Sequence, residues 1–105
     1  MEITFAKKHL EDLYDTGSTS DKKYRFQPQI VRKYIRVINT MRSVDSIEDL
    51  KRFNGLNYKK LTGDKKDIES VRVNDQYRIE FQSTVVEEEM VVTICNILEL
   101  SNHYS

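Results

Sequence analysis

Apolar residues recur with two different periods along the chain, and the change falls between residues 54 and 70. In the first half the period is helical. Ile30, Tyr34, Val37/Ile38 and Met41 recur at i, i+4, i+7/i+8 and i+11, with Val31 and Ile35 widening the stripe. This predicts a helix over Gln27 to Arg42, with Pro28 in its first turn, where a missing N–H costs nothing. A shorter helix is expected from Ala6 to Tyr14, ended by Gly17, after a short strand Ile3-Thr4-Phe5. Ser46 caps a third helix whose first turn carries Glu48 and Asp49. Its apolar side would be Ile47, Leu50 and Phe53, and Asn54-Gly55 would stop it.

From Ser70 the period is two. Ser70 to Asn74 and Tyr77 to Gln82 alternate about a short turn, which predicts a β-hairpin. Met90 to Leu100 forms a third strand, joined to the second by Glu87-Glu88-Glu89. The order β-α-α-α-β-β-β describes an α+β domain, with an N-terminal strand and helices packed on an antiparallel sheet of about four strands. The hairpin is two-faced. Val71, Val73, Tyr77, Ile79 and Phe81 share one side, while Ser70, Arg72, Arg78, Glu80 and Gln82 share the other. If helices cover the first side, two arginines remain on a wet face.

The chain's 105 residues fit one domain, residues 1–105. No run approaches the roughly 20 apolar residues of a membrane span, and the N-terminus lacks the apolar core of a secretory signal. A cytoplasmic domain without cofactor is expected. One cysteine, Cys95, permits neither an internal disulfide nor a thiolate zinc site, and it is expected to be a core residue. The histidines His9 and His103 have no metal-ligand spacing, and His9 is expected to be exposed and inert.

Charge refines this picture. The formal net charge is zero, which by itself argues against a uniformly basic nucleic-acid binder. Divided along the chain, residues 22–42 carry +7 with no acid, while residues 79–105 carry −5 with no base. The positive block suits RNA phosphates or an acidic protein partner, or it is the solvated side of a helix. Within it, Tyr24 and Phe26 either stack on RNA or anchor the entry to the long helix. A second basic group, Lys59-Lys60 and Lys65-Lys66, surrounds Thr62-Gly63-Asp64 and has no Walker pattern.

Leu61-Thr62-Gly63-Asp64-Lys65, followed by Ser70 to Phe81 with its Tyr77-Arg78-Ile79-Glu80-Phe81 run, resembles the signature of HigB-type toxins in the RelE/ParE superfamily. The resemblance extends from about Lys22 to Tyr104. It implies a ribosome-dependent mRNA endonuclease of a type II toxin–antitoxin system, held by a HigA-like antitoxin with a helix-turn-helix domain. Its partners would be the ribosome and mRNA, with no cofactor, metal or membrane. By position it implies Arg78 as the active-site arginine and His103 as the C-terminal catalytic histidine; Arg72, on the same strand face as Arg78, is the second candidate to hold the reacting phosphate. The family often has Lys before the turn glycine. This chain has Thr62, so Lys60 or Lys65 would supply that charge. Lys59, Lys65 and Tyr104 are the expected RNA contacts. Ser101-Asn102 stands where some members place an Asp-Tyr pair. The alternative within the same fold is a ParE-like inhibitor of a DNA topoisomerase, and a third is a degenerate toxin that only docks its antitoxin.

Overall fold

The computed structural model describes residues 1–102, so His103 and Tyr104 lie outside the described residues. The elements are β1 (Glu2–Phe5), α1 (Lys8–Thr16), α2 (Pro28–Ser43), α3 (Ile47–Leu50), β2 (Lys59–Lys60), β3 (Glu69–Arg72), β4 (Tyr77–Glu87) and β5 (Val91–Asn102). The helices form one layer and the sheet the other, with a single core between them. That core joins Leu10 and Leu13 of α1, Ile30, Tyr34, Ile38 and Met41 of α2, and Val71, Ile79, Phe81, Cys95 and Ile97 of the sheet. Each fully buried aliphatic or aromatic side chain contributes about 1.5–3 kcal/mol.

The sheet has five strands in the order β1-β5-β4-β3-β2, one more than the sequence pattern suggests. It is also mixed. β1 runs parallel to β5, pairing Glu2 with Ile94 and Phe5 with Ile97. A parallel neighbour needs a crossover through the helices, which local alternation does not report. The fifth strand is Lys59–Lys60, hidden because two adjacent lysines carry no alternation.

β4 and β5 form the longest pairing, with a bulge at Leu98. Glu80 faces Glu99, but Phe81 faces Ile97. The extra residue changes which parity points inward, so Leu100, Ile97, Cys95 and Thr93 all face the core. It also keeps Ser101 opposite Arg78.

Several local expectations shift. α1 begins at Lys8 rather than Ala6 and ends on Gly17, which adopts φ 78° and donates its N–H to the Leu13 carbonyl. Ser46 caps α3 as expected, accepting from the Asp49 N–H at 3.2 Å. α3 stops at Leu50, so helical spacing no longer carries Phe53 inward, and that ring is 44% exposed. His9 is buried rather than exposed, stacked on Tyr24 at 3.6 Å between centroids and 3° between planes. Tyr24 is thereby committed to the fold. Phe26 packs edge-on against Tyr77 at 5.5 Å.

Candidate functional site

The alternation of β3 and β4 sends Val71 and Ile79 into the core and sends Arg72, Arg78, Ser70 and Glu80 to the opposite, uncovered face. Arg72 and Arg78 stand directly across from one another. Like charges in that position repel, and nearby groups relieve the repulsion. Arg72 turns to Asp75 in the hairpin turn and pairs with it. Arg78 lies flatter on the sheet. Its Nε donates to Ser70 Oγ at 3.0 Å, and its Nη2 donates to the Asn57 carbonyl at 2.7 Å and the Ser70 carbonyl at 3.4 Å. Among the described residues these bonds leave the Nη1 amino group unengaged. Partial burial, and then the charge of Arg72, lower the Arg78 pKa, yet a guanidinium stays charged at any working pH. The result is a fixed cation held by neutral acceptors. Such a group gains from an incoming anion.

Arg78 lines a cavity of about 500 Å³ with Ser70, Glu80, Ser101 and Asn102, closed on one side by Leu61, Thr62 and Lys65. The turn glycine makes that side possible. Gly63 sits at φ 67°, a conformation that favours glycine, and the tight turn Gly63–Lys65 returns Lys65 to the sheet. There the Lys65 Nζ pairs with both carboxylate oxygens of Glu80, at 2.8 and 3.1 Å. Glu80 and Glu99 oppose one another across β4 and β5, and each has a lysine: Lys65 for Glu80, Lys7 for Glu99 at 3.4 Å.

The expected site residues are therefore only partly gathered. Arg78, Arg72 and Lys65 share the uncovered face, and Arg78 and Lys65 share one cavity. Lys59 and Lys60 line a neighbouring cavity of about 450 Å³, with Asn57 and Tyr58. Lys60 also borders a third, beside Glu69 and Ser83. His103 and Tyr104 fall outside the described residues, although Asn102, which precedes them in sequence, lines the Arg78 cavity. Sequence reading missed Glu80, Ser70 and Asn57 as members of the site. Glu80 was detectable, because period two puts it on the Arg78 face. Asn57 was not: its carbonyl reaches Arg78 only because its backbone adopts φ 44°, ψ 58°.

Two further polar groups are structural. Glu69 is buried and accepts from the Tyr58 hydroxyl at 2.6 Å, the Ser83 N–H at 2.8 Å and the Ser83 hydroxyl at 2.7 Å. Burial and that bond push the Tyr58 phenol well above its usual range. Cys95 is fully buried, and burial, then the Glu69 charge, push its thiol up to about 12, so it is inert as a nucleophile. Among the described residues no cluster of three or more His, Cys, Asp or Glu side chains is placed to hold a metal, and no helix is long and apolar enough to cross a membrane.

The family model for HigB-like toxins, RelE-like toxins of type II toxin–antitoxin systems, matches residues 3–96. Among solved structures, a YoeB/ParE toxin from Agrobacterium tumefaciens superposes with a TM-score of 0.54 at 18% identity, covering 99% of this chain and 100% of that one. At that identity the likeness concerns the fold. No curated protein matches the sequence.

Proposed function

This chain belongs to the HigB-like family of RelE-like toxins of type II toxin–antitoxin systems, and on that premise we propose that it cuts translated mRNA on the ribosome. A type II toxin has an antitoxin partner; for this chain we take it to be HigA-like, with a helix-turn-helix domain. The protein acts in the cytoplasm, where translating ribosomes are.

The observation that carries the reading is Arg78: a guanidinium fixed by Ser70 and Asn57, beside an open polar cavity, with one amino group unengaged among the described residues. The RNA 2′-hydroxyl attacks the adjacent phosphate. Charge grows on the phosphate oxygens as the O–P bond forms, and a fixed planar cation there stabilises the transition state without reorganising. Attack also requires a proton to leave the 2′-oxygen and another to reach the departing 5′-oxygen. Histidine is the side-chain type that ionises near neutrality, and we assign His103 to one of these two transfers. The chemistry requires no metal. Arg72 adds positive potential, and Tyr104 stacks on a base. Lys65 exchanges Glu80 for a phosphate when RNA enters, while Lys59 and Lys60 hold the flanking strand.

The test is induced expression with mapping of transcript ends on translating ribosomes. New ends within translated frames, growth arrest, and loss of both in Arg78→Ala and His103→Ala support the proposal. Arrest with intact transcripts and inhibited DNA supercoiling would instead identify a ParE-like topoisomerase inhibitor.

A further inference from the structure

The cavity beside the arginine pocket holds an aromatic ring to which the cleavage chemistry above gives no role. Lys51, Phe53, Asn54, Asn57, Lys59 and Lys60 are among its lining residues. Two aromatic rings border it, and they differ in status. Tyr58 is already engaged: its hydroxyl donates to Glu69, and the Lys51 ammonium lies over its ring at 5.3 Å. Phe53 is 44% exposed and stacks on no other ring among the described residues. An exposed aromatic face beside cations offers a surface on which a base can stack.

The lysines differ in the same way. Lys51 pairs with Glu48 at 3.0 Å. Lys59 and Lys60 are exposed and make no ion pair among the described residues. An open apolar ring, two amide side chains and two lysines line one hollow of about 450 Å³, the lysines reaching it from opposite faces of β2, Lys59 from the Ser70 side and Lys60 from the Glu69 side. A nucleotide presents the matching surfaces: a π-face to stack, a phosphate to neutralise, and polar base edges to hydrogen-bond.

We propose that this hollow is a second nucleotide subsite, in which Phe53 stacks on an unpaired base of single-stranded RNA while Lys59 and Lys60, from opposite faces of β2, hold the phosphates that flank it. The proposal rests on the RNA reading above and specifies where the strand runs next to the cut. The two sites are physically joined. Asn57 lines this hollow, and its carbonyl accepts the 2.7 Å bond from Arg78. A base seated on Phe53 therefore lies against the same Asn54–Tyr58 loop that holds the Arg78 guanidinium.

The experiment measures binding of a short single-stranded RNA carrying 2′-O-methyl groups, which lacks the attacking hydroxyl, by fluorescence anisotropy. Wild type, Phe53→Leu and the double variant Lys59→Ala/Lys60→Ala are compared across salt. Unchanged thermal melts verify that each variant is folded. Phe53→Leu keeps apolar bulk and removes the π-face, and it should weaken binding about fivefold or more. The double variant should lower the slope of log affinity against log salt by about 0.7 for each phosphate that is no longer neutralised. Unchanged affinity in Phe53→Leu overturns the proposal even if the lysine variant binds more weakly, since that pattern is general phosphate attraction. Transcript ends on ribosomes without measurable wild-type binding overturn the subsite alone. A wild type that neither binds nor produces ends overturns the RNA reading as well.

Discussion

Glu69 shows what a single buried charge demands. Its carboxylate is satisfied by Tyr58 and by both donors of Ser83, which ties β3 to β4 and to the loop that carries Asn57. Removing the acceptor strands those donors, so Glu69→Ala should cost about 2–4 kcal/mol. Tyr58→Phe, which deletes one bond to a charged acceptor, should cost about 1–2 kcal/mol. Urea denaturation midpoints measure both. His9 makes a pH-dependent contribution. Burial first and Lys7 second lower its pKa below 6.5, against the opposing pull of Glu99, Asp21 and Asp12. The folded state therefore binds fewer protons than the unfolded chain. Stability from His9 is complete above about pH 6.5 and falls as pH drops from there toward the folded pKa. Thermal melts at about pH 8 and about pH 5.5 should show a smaller loss in His9→Phe than in wild type.

At the element scale, the shortest helix depends on its end. α3 is only four residues long, and its cap is the Ser46 hydroxyl. Ser46→Ala should destabilise the protein by about 1 kcal/mol, read as a lower melting temperature. The same scale explains what was legible in the sequence. α2 could be read because sixteen residues repeat one stripe, and the β3–β4 hairpin because Val71, Val73, Ile79 and Phe81 alternate cleanly. The uncovered face and Arg78's place on it followed from that alternation. Three things did not. β1 pairs in parallel with a strand some ninety residues away. β2 is too short to have a period. The bulge at Leu98 changes the inward parity of β5 partway along, so strict alternation misassigns half the strand. His9 was misplaced for a related reason: its partner Tyr24 lies beyond a loop, and stacking leaves no periodic trace.

On the whole-molecule scale, the sheet separates the charges that the sequence total conceals. Arg32, Lys33 and Arg36 lie exposed on the outside of α2, whose inner side fills the core. Arg78 lies on the other side of the sheet. The +7 block therefore does not line the arginine cavity, and an acidic protein partner suits it better than the RNA of the proposed reaction. Glu87, Glu88 and Glu89 sit at the far tip of the β4–β5 hairpin. At about 3.3 Å per residue, roughly 30 Å of β4 separate them from Arg78. Replacing all three with Gln should leave transcript cleavage within about twofold of wild type, because charges beyond a Debye length of about 8–10 Å are screened.

That division by the sheet has a kinetic consequence. A ligand confined to the basic exterior of α2 and a strand lying on Arg78 would not compete for the same atoms. They would form a ternary complex, and any inhibition through α2 alone would not be competitive with the strand. On the proposed mechanism, an antitoxin that competes with the strand must reach around the two-residue edge at β2, whereas one seated only on α2 must act by bulk, keeping the toxin off the ribosome. In the second case the neutralised toxin would still bind a free oligonucleotide while cutting nothing.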